Sequence, residues 1–162
     1  FKGFFVSKAE IADWPLFNWL ARLGRTIFAD RSKRHQVKAV IREIEERLDD
    51  DHSVILFPEA QATDGTDVVP FKSAVFEAAV LANRPVIPVS IRYHDGNRPT
   101  IAHYGNSFFA HIIRLLKNPR LQATVMVLQK IPAGPNRQTL ATQSYRVIRD
   151  KVIGASKNHR LP

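Results

Sequence analysis

The chain has 162 residues, 44% of them hydrophobic, enough for one domain with a proper buried core. It has no cysteine, which excludes a disulfide framework, a thiol nucleophile and Cys-bound zinc and argues against an oxidising, secreted setting. The formal charge of +9 suits nucleic acid, an anionic membrane surface or a phosphate-bearing substrate, and charge alone does not choose among them.

In chain order, Phe4 to Val6 reads as a short buried strand. Trp14 to Arg25 follows as a helix, with Leu16, Trp19, Leu20 and Leu23 at helical spacing behind Asp13-Trp14-Pro15. This segment has two readings: a helix packed on a sheet, or an interfacial helix lying among lipid headgroups, to which its tryptophans are suited. Thr26 to Asp30 is a second strand. From Arg34 to Leu48 an amphipathic helix places Val37, Val40, Ile41, Ile44 and Leu48 on one face, with Glu43 and Arg47 in the favourable i, i+4 order.

Ser53 to Phe57 is a continuous apolar run, the pattern of a central strand covered on both faces. A polar loop from Pro58 to Pro70 and a helix from Phe71 to about Ala82 follow, then a buried strand over Pro85 to Ile91. Further on, "TIAHYG" reads as a strand, Phe108 to Lys117 as a helix, Leu121 to Gln129 as a strand and Arg137 to about Ile153 as a closing helix, with "IPAGPN" as the turn before it. The alternation predicts an α/β fold: a single domain over residues 1–162 with a mixed, largely parallel sheet flanked by helices. No apolar run is long enough to cross a bilayer, so the chain as given reads as soluble or peripheral. Its start at Phe1 falls mid-strand, which leads us to expect a preceding amino-terminal part.

Glu59 stands just past the carboxyl end of its strand, the edge at which α/β sheets bind ligands. It either serves a site there or caps the next helix and pairs with Lys72. Arg25 and Arg31 flank the second strand and Lys72 opens a helix, so the three cations can hold a phosphate together with a helix amino terminus, or each is solvated surface charge. The histidines read as surface or core residues, with His94-Asp95 in an Asp-Gly turn. Asp49-Asp50-Asp51 reads as a solvated turn, because consecutive side chains at a helix end diverge. The signatures of serine hydrolases, P-loop nucleotide binders and zinc proteases do not occur. Nor does a basic helix with interleaved aromatics, which leaves nucleic acid out of the expected partners.

Three ordered blocks, Phe5 to Arg31, Ile55 to Ala79 and Pro85 to Ile91, resemble the PlsC-like lysophospholipid acyltransferases, the group that includes 1-acyl-sn-glycerol-3-phosphate acyltransferase. The resemblance implies a glycerol-3-phosphate acyltransferase-like fold and transfer of an acyl chain from acyl-CoA or acyl carrier protein, as co-substrate, to the free hydroxyl of a lysophospholipid. The leading acceptor is 1-acylglycerol-3-phosphate, giving phosphatidate. A lyso-ornithine lipid acceptor, or a non-catalytic lipid-binding paralogue, is the alternative. No metal and no further cofactor is implied. Arg31 ends the Gly-x-Ile-Phe-x-x-Arg-like block, slightly offset, and with Glu59 of Phe57-Pro58-Glu59-Ala60 it would hold the acceptor. Ala60, Gln61 and Lys72 complete the implied acceptor site, and Pro88 in Val86-Ile87-Pro88-Val89 would shape the donor side. The work would take place at the cytoplasmic face of the inner membrane, with the protein peripheral or anchored by an amino-terminal segment.

Two departures qualify the resemblance. The family's catalytic His-x-x-x-x-Asp is absent, since no histidine here has an aspartate five positions on, and it is expected upstream of Phe1. Where the family has Gly-Thr and then a hydroxyl or arginine, this chain has Ala60-Gln61-Ala62. Alanine resists the positive φ that glycine adopts freely, and Ala62 offers no side-chain hydrogen bond, so altered acceptor preference or weakened activity is expected.

Overall fold

In a computed structural model of the chain, residues 3–8, 19, 23–29, 34–61, 67–95, 98–99, 113 and 116–158 are described. They fall into two compact units. The first comprises Phe1–Pro58, Lys72–Val86 and Pro132–Ala141; the second comprises Glu59–Phe71, Ile87–Ile131 and Thr142–Pro162.

Strand formation in the first unit follows its apolar, β-branched and aromatic runs. β1 (Gly3–Lys8) lies between β2 (Ile27–Ala29) and β3 (Ser53–Ile55) in a three-stranded sheet, both pairings parallel. Val6 stands opposite Ile27, and Phe4 opposite Val54. β3 was expected as the central strand; β1 takes that place, and Phe57 beyond β3 is 56% exposed. An unbroken apolar run reports burial in general and cannot say which neighbours a strand has.

The amphipathic stripe becomes α1 (Arg34–Asp49), which lays Ile44 into a core with Val6, Ile27 and Ala78, flanked by Val40, Ile41, Leu48 and Leu56. α1 ends in a left-handed residue, Asp51 at φ 60°, while Asp51 N donates to Leu48 O and His52 N to Arg47 O. Those two bonds satisfy carbonyls that a helix end leaves unpaired. The aspartate run is thus a helix stop, and no group of metal-ligating side chains occurs among the described residues.

The helix expected from Phe71 begins as a 3-10 turn, Ser73–Phe76, and becomes α2 only over Glu77–Leu81. Lys72, at its amino-terminal boundary, is extended and offers no side-chain cap, so the first turn tightens to satisfy its own backbone. α2 closes as α1 does, with Asn83 at φ 48° and Arg84 N donating to Ala79 O. Arg84 also pairs with Asp51 at 3.2 Å, tying one helix stop to the other.

In the second unit β4 (Val89–Asp95) is flanked by β5 (Arg98–Pro99) and β6 (Leu121–Val127), both antiparallel. The α/β fold is therefore mixed, with its parallel pairs in the first unit and its antiparallel pairs here. The Pro85 to Ile91 run was expected to be buried throughout. Instead Pro88 and Ser90 are buried while Val89, Ile91 and Tyr93 are 39%, 40% and 44% exposed. Alternate residues point to opposite faces. These three stand opposite Val127, Val125 and Ala123, so one face of this sheet is apolar and open.

α3 (Arg137–Asn158) starts where expected: Asn136 Oδ1 accepts hydrogen bonds from Thr139 N at 2.9 Å and from its hydroxyl at 3.1 Å, capping the first turn. Within the second unit it buries Ser144 and Val152. No described helix is long and apolar enough to cross a membrane. Of the Trp14 to Leu23 segment only Trp19 and Leu23 are described; they are exposed, and the rest lies outside the described residues, as do "TIAHYG" and most of Phe108 to Lys117.

Candidate functional site

The site is built on the chain's exit from β3. In the first unit, Lys72 N donates to Pro58 O at 3.0 Å, which closes the intervening segment into a loop. In the second unit the loop is cross-braced: Glu59 Oε2 accepts a hydrogen bond from Val69 N at 3.1 Å. Oε1 of the same carboxylate accepts none from a described residue. Half-buried Glu59 therefore has one oxygen committed to the backbone and another that no described residue engages, chemically suited to a ligand hydroxyl or cation.

Asp67 organises the other arm. Its Oδ1 accepts from Val68 N at 2.7 Å, and the Arg149 guanidinium grips both oxygens, Nε to Oδ1 at 3.0 Å and Nη2 to Oδ2 at 3.2 Å. The Arg149 bonds, followed by the Val68 amide, hold the Asp67 carboxyl below the usual carboxylate range. Between the two arms Val68 is buried, and Phe71 packs edge-on against Tyr145 with centroids 5.7 Å apart.

Ala60 adopts φ 60°. The sequence leads one to expect alanine to resist that conformation; the loop imposes it nonetheless, between Glu59 fixed to Val69 and the exposed Gln61. A left-handed non-glycine residue costs about 1 kcal/mol. Ala60→Gly should therefore raise stability by about 1 kcal/mol, less the entropy glycine loses on folding, as read by urea denaturation. A loss of stability would show that the strain is absent in solution.

Glu59, Ala60 and Gln61 thus stand together in the second unit. Lys72 belongs to the first, its side chain exposed and without an ion pair to any described residue. Arg31 and Ala62 lie outside the described residues. Arg25 does not join a phosphate site at this edge. It precedes β2, at the opposite end of the parallel sheet from Phe57 and Pro58, and its guanidinium lies 5.9 Å from the Phe4 ring centroid. Arg47 stacks on the same ring at 4.9 Å and His52 meets it edge-on, so the two guanidinium groups serve packing. Val69, Asp67 and Arg149 were not singled out from sequence. The nearest sequence signal is the polar-to-apolar step at Asp67-Val68-Val69, which marks a place where a loop returns to the core.

Comparison with known proteins bears on this architecture. A family model described as Acyltransferase matches residues 2–92. A lyso-ornithine lipid O-acyltransferase of Rhodobacter capsulatus is 32% identical over 157 residues, covering 90% of this chain and 56% of that protein. A 1-acyl-sn-glycerol-3-phosphate acyltransferase of Neisseria gonorrhoeae is 33% identical over 106 residues, 62% of this chain and 42% of that protein. The chain thus spans about half the length of these curated relatives. The crystal structure of the 1-acyl-sn-glycerophosphate acyltransferase PlsC from Thermotoga maritima superposes with a TM-score of 0.62 at 20% identity, over 99% of this chain and 59% of that one, a likeness of fold. With more than half of its residues inside the family model, the chain belongs to the acyltransferase family.

Proposed function

We propose that the protein transfers an acyl chain from acyl-CoA or acyl carrier protein to the free hydroxyl of a lysophospholipid, foremost 1-acylglycerol-3-phosphate. The observation that carries this reading is the Glu59 carboxylate, held at the exit of β3 by the Val69 amide with its second oxygen engaged by no described residue, in a chain of the acyltransferase family. Glu59 receives a hydroxyl of the acceptor, while Arg31, Gln61 and Lys72 supply charge and hydrogen bonds to its headgroup, and Ala60 sets the local backbone. In the transfer the acceptor oxygen bonds to the acyl carbonyl carbon, the carbon–sulfur bond of the thioester breaks, and the thiol leaves with a proton. The hydroxyl's own proton passes to a general base. That role is assigned to no residue of this chain, since none of its six histidines has an aspartate five positions on. The reaction takes place at the cytoplasmic face of the membrane, where the net charge of +9 favours an anionic lipid surface.

A second acceptor, a lyso-ornithine lipid, is favoured by the extent of the similarity. Relatives bearing that name align over 90% and 94% of the chain, against 62% for the glycerophosphate enzyme of Neisseria gonorrhoeae. The test is to offer the natural full-length protein radiolabelled acyl-CoA, or acyl carrier protein, with either acceptor. We expect labelled phosphatidate, with kcat/KM for lysophosphatidate above that for the lyso-ornithine lipid. A reversed ratio assigns the second acceptor, and labelling of neither lipid overturns the activity in favour of a lipid-binding role.

A further inference from the structure

We propose that Arg149 is a positioning residue for the acceptor site: acting through Asp67 from α3, it holds the loop that presents Glu59. The proposal rests on the function just argued and extends it to a residue far from β3 in sequence.

A chain of contacts within the second unit supports it. Glu59 is oriented by the amide of Val69; the adjacent amide, Val68 N, is held by Asp67; and Asp67 is held by both arms of Arg149. Each link is one residue or one hydrogen bond from the next. The paired guanidinium–carboxylate geometry fixes direction as well as distance, which a single-point lysine contact does not. Tyr145 lies four residues before Arg149, hence on the same helical face, and packs on Phe71 at the far end of the loop. Consecutive turns of one helix therefore grip the loop at Asp67 and at Phe71. The helix can resist the load, since Ser144 and Val152 bury it beside those contacts.

The loop needs such a grip. Ala60 is held at φ 60°, and relaxing it would swing the preceding peptide and the Glu59 carboxylate with it. Both partners of the ion pair are exposed, their side chains 41% and 53% accessible, so the pair adds little to global stability. Its effect is local: it fixes the Asp67 to Val69 arm that orients Glu59.

Three readouts on the natural full-length protein test this. Hydrogen exchange follows the Val68 and Val69 amides, equilibrium binding follows lysophosphatidate below its micellar concentration, and steady-state kinetics separates acceptor from donor. In Arg149→Ala the two amides should exchange about tenfold faster while those of α1 keep their protection. Lysophosphatidate binding should weaken by about tenfold, and acceptor KM rise by about as much, with kcat and donor KM within about twofold of wild type. Arg149→Lys should fall between, because one ammonium cannot engage both oxygens. The exchanged pair, Asp67→Arg with Arg149→Asp, restores the ion pair but leaves Val68 N without its acceptor, so it should recover only part of the binding that either single change loses. Exchange rates unchanged in Arg149→Ala, or faster exchange with acceptor binding intact, would overturn the proposal. The first two readouts need no turnover, so they judge the clamp even where the wild type transfers no acyl group.

Discussion

Glu59→Ala should lower kcat/KM for the lysophospholipid acceptor by about a hundredfold, a loss of about 2.7 kcal/mol in transition-state stabilisation, and leave donor KM nearly untouched. Two interactions disappear with the carboxylate. One is the hydrogen bond from Val69 N, which closes the loop and is worth about 1 kcal/mol net. The other is the proposed contact with the acceptor hydroxyl, where a charged partner is worth about 1.5–3 kcal/mol. The first alone would account for less than a tenfold change, so the magnitude separates a structural role from a binding one. Glu59→Gln sharpens the distinction: its amide oxygen can still receive the Val69 amide, but the charge is gone. We expect it to keep loop order and lose most of the acceptor preference. Wild-type acceptor kinetics in Glu59→Ala would remove Glu59 from the site.

The largest loss of stability should come from Ile44→Ala. Ile44 is 2% exposed and packs among Val6, Ile27 and Ala78, where the two helices meet one face of the parallel sheet in the first unit. Removing its branched side chain forfeits the transfer energy and leaves a cavity, at a cost of about 3 kcal/mol. For a chain of this size that corresponds to a fall in Tm of roughly 6–12 °C. Val127→Ala is the comparison: at 70% exposure it should change stability by no more than about 0.5 kcal/mol. Equal effects of the two changes, by urea denaturation, would mean that the first-unit core is not formed as described.

The contrast between these two positions shows what the sequence can and cannot reveal. Ile44 was identifiable because a helix repeats its environment every three or four residues, and the stripe from Val37 to Leu48 has no other reading. β1, β2, β6 and α3 were legible as short apolar runs and, for α3, as the segment that follows the turn "IPAGPN"; the Asn136 cap emerged only in the structure. The apolar runs at Ser53 to Phe57 and Pro85 to Ile91 were legible as strands but not in their placement. Which face is covered depends on partners distant in sequence, and a period of two is hidden when both alternating sets are apolar. Glu59 was reached from its position at a strand end and from the family block around it. Asp67 and Arg149 carry no local pattern, since their pairing exists only once the chain has brought together residues 82 apart. The positive φ of Ala60 was missed for the opposite reason: the local preference was read correctly, and the loop's anchors override it.

The open face formed by Val89, Ile91 and Tyr93 with Val125 and Val127 has a practical consequence for anyone studying this chain. Dyes such as ANS fluoresce on exposed apolar surface and are used to detect loosely packed states. Here an antiparallel sheet of the folded chain itself offers them a binding platform, so bright dye fluorescence would say nothing about whether the side chains are packed. Near-ultraviolet circular dichroism, which reports the fixed surroundings of its aromatic rings, is the measure of order to trust for this chain.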